Sequence, residues 1–316
     1  MPANARMPRL WSRRGLLIAL AAGSVTTLSA CRVQLEENAP HIPLVPTRVP
    51  MKDEKTLLEV LSRTRSLESL ARAVGETSTS PAGRLSAVHA TQVAVITRLL
   101  RDGGVPQSAI GGPPATNPAG SLSHPVLSAA ALSAAESESL SYVALADITN
   151  AHVALIGSML AQRMASVTLL GGVAAPVPPS GLNGAEAVPL LEAIRAAVYG
   201  FEIVAAQIDS TGRTLAMSTL LSLRTRTSEL QTLVGSSGPP PPLGYELPFP
   251  VSDPDSARRL ALHLLEALLT RQAAALVPAA GEAAALTTLV HWLGTTESIA
   301  SEWGASLAAF PGLTNG

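Results

Sequence analysis

The chain has 316 residues, a formal net charge of −1 and 47% hydrophobic residues, of which few are aromatic. Near-neutral charge without a basic block excludes the electrostatic footprint of a nucleic-acid-binding protein. One cysteine, Cys31, excludes an intrachain disulfide and a cysteine-based metal cluster.

The first thirty residues read as an address. Arg6, Arg9, Arg13 and Arg14 precede an apolar run, and no acidic residue occurs before Cys31. The run from Gly15 to Ala30 falls short of the ~20 residues that a membrane-spanning helix needs. It fits the apolar region and small-residue cleavage site of a signal peptide over 1–30. Ser12-Arg13-Arg14-Gly15-Leu16 resembles a twin-arginine export signal, and Leu28-Ser29-Ala30-Cys31 resembles a bacterial lipobox. The lipobox resemblance implies a diacylglyceryl group on Cys31, which becomes the new N-terminus. Two acyl chains give durable attachment where one is marginal. The expected location is the extracytoplasmic face of the cell membrane, with the membrane itself a partner through lipidated Cys31.

Residues 31–52 carry Pro40, Pro43, Pro46 and Pro50 and read as an extended spacer. Beyond it, apolar residues recur at helical spacing and alternating runs are lacking, which predicts an all-α protein. Leu57, Leu61, Leu67, Leu70, Ala71 and Val74 predict a helix over 53–75. Leu85, Val88, Gln92, Val95 and Leu99 predict a second over 82–102, followed by a loop over 103–125. Residues 126–170 read as one long helix or as two with a kink near 137–141. The N-terminal helical region thus spans 53–172, and Gly171-Gly172, Pro176, Pro178 and Pro179 place a linker over 173–184. Helical text resumes over 185–208 and 213–234. A Pro-rich loop reaches Pro250, and Asp253-Pro254 offers an N-cap and a first-turn proline. That helix ends near Pro278, and a last one covers 281–304. Short loops between such helices predict two bundles in tandem.

Three stretches of the second half are familiar in order and spacing: Ala196-Ala197-Val198-Tyr199-Gly200-Phe201-Glu202, Tyr245-Glu246-Leu247-Pro248-Phe249-Pro250-Val251 and Ala309-Phe310-Pro311-Gly312-Leu313. They resemble a family of actinobacterial ferritin-like proteins grouped as the domain of unknown function DUF4439, over 185–313. The resemblance implies a ferritin-like four-helix bundle in the C-terminal half, preceded by a second helical bundle. It implies no particular reaction.

Ferritin-like carboxylate proteins hold two metals with one Glu from each of two helices and a Glu-x-x-His pair from each of the others. No histidine here has Glu three residues before it. The nearest substitutes are the reversed pair His263 and Glu266, and the group Glu192, Tyr199 and Glu202, which share a helix face with Arg195. A solvated charged stripe, with Arg195 pairing the carboxylates, is the preferred explanation of that face. His89 beside Gln92, and His152, read as hydrogen-bonded core groups. No Gly-x-Ser-x-Gly elbow, P-loop or His-Glu-x-x-His occurs. The expectation is a tethered module without catalytic residues, cofactor or complete di-metal site, which binds a protein or small molecule. The alternative is a metal-binding or oxidoreductase protein with a degenerate carboxylate and histidine site. The Tyr245–Val251 loop is either a recognition surface or a strap packed on the bundle.

Overall fold

The computed structural model describes residues 48–75, 77–112, 128–140, 144–174, 176–235 and 238–313. Arg13, Arg14, Cys31 and most of the 31–52 spacer lie outside them. Among the described residues the chain is all helical, and no helix there is long and apolar enough to cross a membrane. The helices are α1 Glu54–Val74, α2 Pro81–Asp102, α3 Gln107–Ile110, α4 Ala129–Leu140 and α5 Val153–Leu169. They continue as α6 Gly184–Gln207, α7 Ser210–Val234, α8 Pro254–Ala274 and α9 Ala283–Glu302.

Caps fix several starts. Asn183 and Glu186 close a capping box on α6, and Asp253 and Ser256 do so on α8, where Pro254 takes the first turn as its sequence suggests. Ser80 and Asp209 accept the Gly83 and Gly212 N–H groups.

Two details differ from the sequence pattern, and one open alternative is decided. The 103–125 segment contains one helical turn, α3, whose Ile110 is buried. Residues 126–170 hold two helices, and a tighter turn at Leu145–Asp147 lies between them. The break is held by Asp53, whose carboxylate accepts the Thr149 N–H at 3.2 Å and pairs with His152 Nδ1 at 2.8 Å. Asp53 adopts φ 60°, a left-handed conformation that Asp tolerates better than most residues. On α2 the buried stripe is Leu85, Val88, His89, Gln92, Ile96 and Leu100, while Val95 is exposed. His89 and Gln92 are buried as hydrogen-bonded core groups, and beyond them the stripe follows Ile96 and Leu100 in place of Val95 and Leu99.

The helices form two four-helix groups with one connectivity. In the first, α1 packs on α2 and on α4, and α4 packs on α5. Gln92 of α2 reaches Gln162 of α5 and closes the ring. In the second, α6 packs on α7 and on α8, and α8 packs on α9. Arg226 and Thr219 of α7 close that ring on the Trp292 carbonyl and Trp303. Each group has a longer connection between its second and third main helices, the single-crossover arrangement of ferritin-like bundles. The two groups share a core: α5 packs along α9, and one apolar cluster runs from Leu57 to Phe310. Small residues permit this approach. A Cβ on Gly294 meets the Ala161 carbonyl at 2.6 Å, and α5 is buried on nearly every side.

Candidate functional site

The centre of the first group is polar, and each of its four main helices supplies part of it. His89 Nδ1 lies 3.1 Å from Gln92 Oε1, and His89 Nε2 lies 2.7 Å from Glu136 Oε1. Gln92 Nε2 donates to Gln162 Oε1 at 3.0 Å and to the Ala309 carbonyl at 2.8 Å. Its Oε1 must therefore accept, so His89 Nδ1 carries a proton. Arg163 of α5, 1% exposed, donates to Thr64 of α1 at 2.7 Å. Burial pushes the Arg163 guanidinium down to about 10 against the opposing pull of Glu136, so it stays charged at neutral pH. Arg163 Nε and Glu136 Oε2 are buried without a hydrogen-bond partner among the described residues.

This donor set does not fit a dinuclear centre. It offers one carboxylate and one imidazole around a fixed guanidinium, where such a centre uses four carboxylates and two histidines. A divalent ion ~5 Å from that guanidinium is opposed by roughly 7 kcal/mol at an effective dielectric of ~20. The second group is filled instead by apolar side chains, including Ile194, Phe201, Leu223, Leu265, Leu289 and Leu293. Among the described residues, no three His, Cys, Asp or Glu side chains converge as metal ligands.

The residues singled out from sequence lie on outer faces. Glu192 and Glu202 of α6 are exposed, and Glu202 pairs with Arg224 at 2.8 Å. Arg195 donates to the Pro239 carbonyl at 2.8 Å. His263 and Glu266 are exposed on α8. The 238–253 segment brings these faces under one strap. Tyr245 packs on Tyr199 with ring centroids 5.7 Å apart, and Phe249 lies against His263 and beneath the Arg259 guanidinium. Tyr245, Leu247, Phe249 and Val251 alternate inward with exposed residues between them. Burial pushes the Tyr245 hydroxyl up, with Arg195 opposing and Glu192 adding.

Two features were not read from the sequence. One is the Glu136–Arg163 centre, for which a signal existed: Arg163 is the lone charged residue in the apolar text of α5. The other is a cleft of about 530 Å³ between the two groups. Its walls include Leu145, Leu160, Met164, Val167, Val290 and His291. Burial and the neighbouring Arg226 hold the His291 imidazole below its ordinary value, so it is neutral at neutral pH.

The C-terminal segment reaches the polar centre of the first group through Gln92 and is pinned by side chains from three helices. Glu297 accepts the Ala308 N–H at 2.8 Å, Gln92 holds the Ala309 carbonyl, and Ser158 holds the Pro311 carbonyl at 2.7 Å. Phe310 is buried between these points.

Connectivity and core define an all-helical protein of two linked four-helix groups. The family model described as a domain of unknown function, DUF4439, matches residues 188–315, less than half of the chain, and that segment is similar to the family. No curated protein and no solved structure matches the chain.

Proposed function

We propose that this is a lipoprotein of the cell envelope, of the actinobacterial kind its second half resembles, which acts by binding. A twin-arginine signal ending at Ala30 directs export, acylated Cys31 holds the chain on the outer face of the membrane, and the proline spacer separates lipid from helices. The observation that carries the binding reading is the cleft of about 530 Å³. Its size falls in the ~300–1,000 Å³ range of small-molecule sites, and apolar walls with a few polar groups are their usual lining. The buried polar centre supports the same reading, because His89 pairs with Glu136, Arg163 donates to Thr64, and all four side chains are shut off from solvent.

Cell fractionation of the parent and a Cys31→Ser variant tests the tether. Parent protein in the membrane fraction, with the variant released to the soluble extracytoplasmic fraction, is the expected result. Equal membrane retention of both overturns it.

A further inference from the structure

We infer that the cleft takes an uncharged lipid-like molecule from the membrane: an elongated apolar body carrying one carbonyl or hydroxyl group. This rests on the binding reading above and narrows it to one ligand chemistry.

The walls divide by character. Leu160, Met164 and Val167 of α5, with Val177 of the 170–183 connection, give an apolar run along one side. Thr287 and His291, one turn apart on α9, and Ser137 of α4 give the cleft its polar groups. Among the described residues, no Asp, Glu, Lys or Arg lines the cleft. A charged head group entering it loses its hydration without gaining an ion partner, which costs several kcal/mol. A neutral head loses little, because a neutral imidazole offers one donor and one acceptor. His291 is held neutral by its own burial and by Arg226 of α7, which is itself balanced by Glu229. The same Arg226 disfavours a cationic head. His291 Nδ1 is buried and has no hydrogen-bond partner among the described residues.

Size and supply identify the occupant further. A volume of about 530 Å³ holds one small molecule, not a folded partner. A chain tethered through Cys31 works beside a bilayer, where uncharged molecules of this shape are concentrated.

The test uses the full chain with Cys31→Ser, so that no acyl group of its own competes. Dodecanol, dodecanoate and dodecyltrimethylammonium are titrated calorimetrically below their micellar concentrations at pH 7.5. The expected result is saturable binding of dodecanol, with the two charged probes at least about tenfold weaker, ~1.4 kcal/mol. Thr287→Trp, at an exposed position on the cleft wall, abolishes dodecanol binding while leaving the thermal midpoint unchanged. His291→Leu weakens dodecanol about tenfold. Dodecanoate bound as tightly as dodecanol overturns the uncharged-head inference and leaves the binding reading standing. Binding untouched by Thr287→Trp places the ligand elsewhere and overturns the inference. If none of the three probes binds, the inference falls, and the binding reading is decided separately by molecules co-extracted with the parent protein.

Discussion

Glu297 is 3% exposed on α9, and burial pushes its carboxyl up to about 7 against the Ala308 N–H, which favours ionisation. Its proton is held more tightly in the folded than in the unfolded chain. The stability it contributes is complete below the ordinary value of 4.5 and is lost as the pH rises through about 7. Glu297→Gln keeps an acceptor for Ala308 and removes the titration. The variant should match the parent near pH 4 and exceed it by about 3 kcal/mol at pH 8. Urea unfolding across that range checks this, and parallel stability curves contradict it. At the centre of the first group, Arg163→Met strips Glu136 of its neighbouring cation and should cost about 3–5 kcal/mol. Adding Glu136→Gln should recover part of that loss, and a double-mutant cycle measures the coupling. The sequence offers little warning of these groups. Glu136 sits among Ser and Glu residues in α4, where nothing separates a buried acid from a solvated one.

At the scale of elements, helix positions were legible because caps and apolar spacing agree, as at Asp253-Pro254 and along α1. What spacing could not reveal is how side chains from distant helices bend the pattern. The break before α5 depends on Asp53, far upstream, and the stripe of α2 depends on Glu136 of α4. The Ala309–Leu313 stretch makes sense only in three dimensions. Gly312 has φ 73°, and a Cβ there meets the Leu269 carbonyl oxygen at 2.2 Å. Gly104 has nearly the same backbone, φ 74°, with open space around it. Gly104→Ala should therefore cost only the ~1–2 kcal/mol of a left-handed backbone. Gly312→Ala should cost clearly more, because backbone as well as side chain must shift. Calorimetric melting of the two variants separates conformational strain from steric clash, and equal losses contradict the close packing of the C-terminal segment.

Across the whole molecule, two groups of one connectivity have taken different interiors, one built around linked polar side chains from four helices, one filled mainly by apolar side chains. An all-helical protein was readable from composition and period, and the DUF4439 match from three short stretches. The shared α5–α9 interface and the cleft beside it arise only when both groups are docked, so no local pattern announces them. The interiors also give an expectation for metal content. Protein purified without chelator should hold iron and manganese well below one equivalent, and stoichiometric metal lost on Glu202→Ala contradicts the binding account. The most direct measurement is native mass spectrometry of parent protein extracted from its membranes. The tethered-binding account predicts a chain that begins at acylated Cys31 and releases a noncovalent lipid-like molecule that Thr287→Trp does not retain. An unmodified chain retaining residues 1–30, or one releasing the same molecules with and without Thr287→Trp, contradicts it.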